Sequence, residues 1–181
     1  MVAGVLILTG FMGAGKSAVG RELARRLGWR FVDLDREIEA LAGKPVPRIF
    51  AEEGEGRFRA LETEALRRVL GGQRTVVATG GGVLTREENR DLLARHLTVN
   101  LLAPVDVCVA RVMESGEARP LLEGTDPLGA ARRLWREREH LYRSVPRQVD
   151  TAGRDPGAVA EEILRRYGAE FAREMDPGEP G

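Results

Sequence analysis

The sequence predicts an α/β sandwich of three layers, with a five-stranded parallel sheet and helices on both of its faces. Three observations carry that expectation. Short apolar runs alternate with segments of helical period along the chain. A glycine-rich loop joins the first run to the first helix, and a second glycine cluster follows the third run.

The elements follow in order. Gly4–Thr9 is a short apolar run, and the glycines after it mark it as a strand ending in a turn. From Ser17 to Leu27, apolar Val19, Leu23, Ala24 and Leu27 share one helical face, and Gly28 ends the helix. Arg30–Asp33 is the second strand. Asp35–Leu41 reads as helix, closed by Gly43 and Pro45, and further helices cover Pro47–Glu53 and Arg57–Leu70. Thr75–Ala78 is the third strand, followed by Gly80-Gly81-Gly82. Thr85 with Glu88 forms a capping box that opens a helix to Arg95. Leu97–Leu102 is the fourth strand, and Pro104 starts the next helix at a favoured first-turn position. The segment 115–125 is polar, contains glycine and has no period. Asp126-Pro127 caps a helix to Arg143, Gln148–Thr151 is the last strand and Pro156–Tyr167 the last helix. Residues 1–168 therefore form one domain, and 169–181 read as a disordered tail. In a doubly covered parallel sheet, ligands sit beyond the carboxyl ends of the strands. That rule gathers the loops at 10–17, 33–35, 80–82 and 103–106 on one edge.

Composition narrows the functional class. Hydrophobic residues make up 43% of the 181 residues, enough for a sizeable core, and 31% are charged. Acidic and basic residues balance at 28 each, so no global field favours a nucleic acid or a membrane. The apolar stretch Val2–Leu8 is too short to span a bilayer and lacks the flanks of a signal peptide. A cytoplasmic, monomeric enzyme is expected. Cys108 is the single cysteine, which excludes an intrachain disulfide, and its amphipathic surroundings suit a buried small hydrophobe. His96 and His140 show no metal-ligand spacing. Of the 28 basic residues only Lys16 and Lys44 are lysine, so the lysine at 16 stands out.

Gly10-Phe11-Met12-Gly13-Ala14-Gly15-Lys16-Ser17 fits the phosphate-loop pattern G-x-x-x-x-G-K-[ST], with a strand before it and a helix after it. Such a loop points several backbone N–H groups inward as an anion nest, and the helix adds its positive end. Gly13, Ala14, Gly15, Lys16, Ser17 and Ala18 are thereby placed around the phosphates of ATP. Lys16 reaches the β- and γ-phosphates, and the Ser17 hydroxyl binds Mg²⁺. The fold expected is thus that of the P-loop NTPases. Many of these carry a magnesium-binding acid at the end of a central apolar strand. Here the third strand runs into Thr79 and glycines and the fourth into Ala103-Pro104, so the nearest acid is Asp33, at the end of the second strand.

Asp33-Leu34-Asp35 sets two carboxylates where a strand hands over to a helix. Asp35 could serve as the helix N-cap alone. In the functional reading Asp33 holds Mg²⁺ and Asp35 takes a substrate hydroxyl that must lose its proton. At this point the sequence resembles the shikimate kinase family, from about Val5 to Tyr167. The resemblance rests on GFMGAGKS at 10–17, VDLD at 32–35, GEGRFRALE at 54–62, ATGGG at 78–82, RPLL at 119–122 and REREHLY at 136–142. It implies transfer of phosphate from ATP to the 3-hydroxyl of shikimate, a step in aromatic amino-acid biosynthesis. It also implies that Arg59 and Arg138 clamp the substrate carboxylate and that Glu62 orients Arg59. Gly80, Gly81 and Gly82 would offer backbone contacts, and Asp35 would hold the reacting hydroxyl. Lys16, Asp35 and Arg119 would be the catalytic groups. Arg119 would close over the phosphates from a mobile lid at 115–125, while Arg111 and Arg154 would face ATP on the adenine side. The substrate segment would span 33–62. His140 departs from the family pattern, which usually has proline there, and reads as a partly exposed helix residue.

Two rival readings remain at this level. A gluconate kinase or nucleoside monophosphate kinase would share the phosphate loop, but the joint presence of DLD, FRALE and the glycine triplet favours shikimate. A regulatory nucleotide switch would need a guanine-reading box containing lysine, and no lysine lies beyond Lys44.

Overall fold

Strand β1 (Val5–Gly10) is apolar along its length and every residue of it is buried. Successive side chains on a strand point to opposite faces, so a strand buried throughout must be covered on both. The computed structural model describes residues 4–116, 120–122 and 124–175. In it, β1 lies at the centre of a parallel sheet with β2 (Arg30–Asp33), β3 (Thr75–Ala78), β4 (Leu97–Leu102) and β5 (Arg147–Asp150), in the order β2-β3-β1-β4-β5. The register sets Asp33 level with Ala78, and Ala78 level with Leu8. The phosphate loop, the Asp33–Asp35 segment and the glycine triplet therefore leave the sheet along one edge.

The helices are α1 (Lys16–Leu27), α2 (Leu34–Ala42), α3 (Val46–Leu70), α4 (Glu87–Leu93), α5 (Val105–Ser115), α6 (Pro127–Arg143) and α7 (Pro156–Met175). Helix α3 is two helices meeting at Gly54, whose backbone (φ 78°, ψ 174°) is not helical. This matches the two separate segments expected there. Asp126 caps α6 by accepting from Gly129 N–H, with Pro127 in the first turn, also as expected. Cys108 is buried in the core, and burial pushes its thiol pKa up. Among the described residues no helix is long and apolar enough to cross a membrane.

Two local expectations are corrected and one open alternative is decided. Thr85 does not cap a helix. The chain leaves the glycine triplet through a 3-10 turn at Val83–Thr85, which turns the Thr85 hydroxyl back onto the Gly82 carbonyl at 2.7 Å. Glu88 pairs instead with Arg67. The cap of α2 is Asp33, not Asp35, since the Asp33 carboxylate accepts from the Asp35 N–H at 3.1 Å. Finally, α7 continues to Met175, so the chain from 169 to 175 is helical and not tail. Phe171 explains the extension. It is buried and packs on Trp29, with ring centroids 4.7 Å apart, giving the last turns an apolar contact that pattern-reading to Tyr167 overlooked. Residues 176–181 lie outside the described residues.

If that contact anchors the end of α7, Phe171→Ala lowers the unfolding free energy by about 3–5 kcal/mol in a urea titration. An unchanged midpoint would return residues 169–175 to the status of a tail.

Candidate active site

The phosphate loop is held from within and from outside. Lys16 curls back so that its ammonium donates to the Gly10 and Phe11 carbonyls, both at 2.8 Å. Gly13 takes φ 73°, and a Cβ on it would stand 2.2 Å from the Cys108 carbonyl, so only glycine fits between loop and α5. Arg111 reaches from α5 to the Gly13 carbonyl at 3.3 Å and to the carbonyl of Thr151 at 2.8 Å. The Thr151 hydroxyl donates to the Ala14 carbonyl at 2.9 Å. The loop is thus tied to the chain leaving β5, which sequence reading did not foresee. Ala18 is exposed on the first turn of α1. Arg154, in the next turn after Thr151, binds the Asp150 carbonyl at 3.0 Å and pairs with Glu162 at 2.6 Å. Arg119 lies outside the described residues.

Beside the loop, the Ser17 hydroxyl donates to the Asp33 carboxylate at 2.8 Å. The two expected metal ligands come from different elements and meet where β1 and β2 end. This oxygen pair suits a hard cation that keeps most of its waters and also takes phosphate oxygens. Among the described residues no cluster of three or more His, Cys, Asp or Glu side chains offers an alternative.

On the other side of the loop lies a cavity open to solvent. Its mixture of apolar side chains with a few converging polar groups is that of a small-molecule site. Asp35, Arg59, Glu62, Arg138 and the triplet Gly80–Gly82 all border it. Arg59 and Arg138 are only 7% and 8% exposed, so neither is an ordinary surface arginine. Arg59 donates to Glu62 at 2.8 Å and to Glu55 at 3.0 Å. Burial works against the Arg59 charge, but the Glu62 and Glu55 carboxylates outweigh it and raise its pKa. Burial pushes the Glu62 carboxyl above the ordinary carboxylate range, while the Arg59 guanidinium pulls it back. Arg138 borders the cavity, hydrogen-bonds the Tyr142 side chain and feels the charge of Glu62, but makes no direct ion pair among the described residues. His140 is exposed on α6, while Arg138 on the same helix is buried.

The apolar part of the cavity was missed by motif reading. Phe50 and Phe58 stand either side of the Gly54 kink with ring centroids 4.7 Å apart, and Val46, Met12 and Leu121 complete that wall. The only sequence signal was the placement of Phe58 next to Arg59. Tyr142 was also overlooked. Its hydroxyl donates to the Gly81 carbonyl, and burial pushes its pKa up to about 12, against the pull of Arg138, so it stays a neutral donor.

Comparison with known proteins agrees with this geometry. A family model described as "Shikimate kinase" matches residues 12–167. The chain is 46% identical to a shikimate kinase of Geobacter sulfurreducens over 170 residues, covering 93% of this chain and 91% of the relative. It is 45% identical to one of Gloeobacter violaceus, covering 98% and 100% respectively. A solved shikimate kinase from Acinetobacter baumannii in complex with shikimate is 38% identical. It superposes with a TM-score of 0.88, covering 93% of this chain and 94% of that one.

The packing of Arg59 on the glycine triplet is itself testable. A Cβ on Gly82 would sit 2.3 Å from the Arg59 guanidinium, which two carboxylates hold in place. Gly82→Ala should therefore cost about 1–3 kcal/mol of stability in chemical denaturation. An unchanged midpoint would mean that Arg59 swings aside freely.

Proposed function

The chain belongs to the shikimate kinase family, and from that membership we infer that it transfers the γ-phosphoryl group of ATP to the 3-hydroxyl of shikimate in aromatic amino-acid biosynthesis. The observation that best supports the substrate is the buried Arg138, a cation bordering the cavity without an ionic partner among the described residues. Arg138 feels the charge of Glu62 and meets the Tyr142 side chain, but no carboxylate is paired directly with it among the described residues, and a carboxylate entering the cavity would supply that pair. Arg59 borders the same cavity and would supply the second fork of the clamp.

The remaining roles follow from chemistry. Asp35, at the start of α2, would hold the attacking hydroxyl and accept its proton. The N–H groups of the phosphate loop would cradle the phosphates. Lys16, released from the Gly10 and Phe11 carbonyls, would stabilise the charge that builds on the transferring group. Ser17 and Asp33 would hold Mg²⁺, which neutralises charge on the β- and γ-phosphates. Arg111 and Arg154 would border the adenine, and Arg119 would close over the phosphates. The apolar wall of Phe50 and Phe58 would cover the ring of the substrate and exclude water. The same reading makes the protein a monomeric cytoplasmic enzyme whose partners are ATP and shikimate, with no nucleic acid or membrane.

A coupled ADP-release assay tests this directly. Shikimate should support turnover, whereas gluconate and nucleoside monophosphates should not. Arg138→Ala should raise the KM for shikimate by roughly 10- to 150-fold, the loss of a charged hydrogen bond worth about 1.5–3 kcal/mol. Methyl shikimate, with its carboxylate masked, should be a poor substrate for the native enzyme and be penalised little further by the mutation. ATP turnover indifferent to shikimate would contradict the assignment.

A further inference from the structure

Tyr142 has no role in the reading above, yet it touches three parts of the site. Its hydroxyl donates to the Gly81 carbonyl. Its ring stacks on Trp135, with centroids 5.3 Å apart and 18° between planes, and meets Phe11 of the phosphate loop edge-on at 6.2 Å. It also stands one helical turn after Arg138 on α6, so the two side chains share a face.

The hydrogen bond reaches beyond the carbonyl that accepts it. A peptide unit is planar and trans, so fixing the Gly81 C=O fixes the direction of the Gly82 N–H at the other end of the same unit. That N–H donates to no carbonyl among the described residues. Around it the backbone has little freedom. A Cβ on Gly81 would come within 3.1 Å of the Met12 nitrogen, and one on Gly82 would strike Arg59. Packing alone does not call for the hydroxyl, because Phe11 and Trp135 already hold the ring.

Resting on the shikimate kinase reading, we propose that Tyr142 is a positioning residue for the substrate carboxylate. Through the Gly81 carbonyl it aims the Gly82 N–H, and from the same turn of α6 it keeps Arg138 in register with that donor. Two donors from separate elements then meet one carboxylate. The hydroxyl donates to the glycine triplet and to no group assigned to the nucleotide, so its loss should show in substrate binding alone.

Tyr142→Phe keeps the ring and removes only the hydroxyl. The native enzyme is assayed first, and failure to turn over shikimate at that stage defeats the functional reading and this proposal with it. With an active native enzyme, Tyr142→Phe should raise the KM for shikimate about fivefold or more while the KM for ATP and kcat stay within about twofold. On an Arg138→Ala background the same change should cost much less, because the two act on one carboxylate. A native KM for shikimate overturns the proposal. So does a parallel worsening of both KM values and kcat, which marks a purely structural role. If Tyr142→Phe does not fold, Tyr142→Met is read in the same way, since its flexible side chain fills the space without a hydroxyl. Loss of folding by both variants assigns Tyr142 to the core and also overturns the proposal.

Discussion

Two opposite charges buried side by side, Arg59 and Glu62 on α3, decide how that helix can lie against the loop after β3. Glu62 is fully buried and Arg59 nearly so, and each would be costly to bury alone. Together they hold α3 against the glycine triplet. The Arg59 guanidinium lies where a side chain on Gly82 would be, and a Cβ on Gly80 would come within 3.0 Å of a Glu62 oxygen. The pair is therefore possible only beside glycine, and the triplet is kept in place by the pair. The cavity between α2, α3, α6 and the phosphate loop takes its polar end from this arrangement.

The nucleotide half is built differently. There, side chains brace the backbone of the phosphate loop. Arg111 and Thr151 hold the carbonyls of Gly13 and Ala14 from the side of β5. Lys16 rests on two loop carbonyls. These contacts turn carbonyl oxygens away from the nest and leave the N–H groups to face an anion. Asp33 serves both halves, since one carboxylate oxygen takes the Ser17 hydroxyl and the other caps α2 at the Asp35 N–H. The spacing of Asp33 from Asp35 is thus set by one capped helix turn.

Much of this was legible in the sequence, for identifiable reasons. The central strands are short, apolar and separated by segments of clear helical period, so the order of elements along the chain could be read off, and the glycine motifs marked the functional edge. The Arg59–Glu62 contact was implied by the family resemblance, and i, i+3 spacing on a helix allows it. What escaped detection depends on contacts between residues distant in sequence. Phe171 holds α7 through Trp29, more than a hundred residues away along the chain. The Arg111–Thr151 clasp and the Tyr142–Gly81 bond likewise join elements that no local pattern connects. The Thr85 capping box failed because the preceding glycines offered the hydroxyl a nearer carbonyl. Motifs disclosed the charged groups of the site, whereas its apolar wall arose from the kink at Gly54 that brings Phe50 and Phe58 together.

The central claim is that the Arg59–Glu62 pair orients the substrate clamp and leaves the nucleotide site alone. Glu62→Gln tests it most directly, because the amide keeps the shape of the side chain and removes its charge. The account predicts a rise of about tenfold or more in the KM for shikimate, roughly 1.4 kcal/mol or more, with the KM for ATP nearly unchanged. A KM for shikimate equal to that of the native enzyme, measured on a folded Glu62→Gln variant, would contradict it.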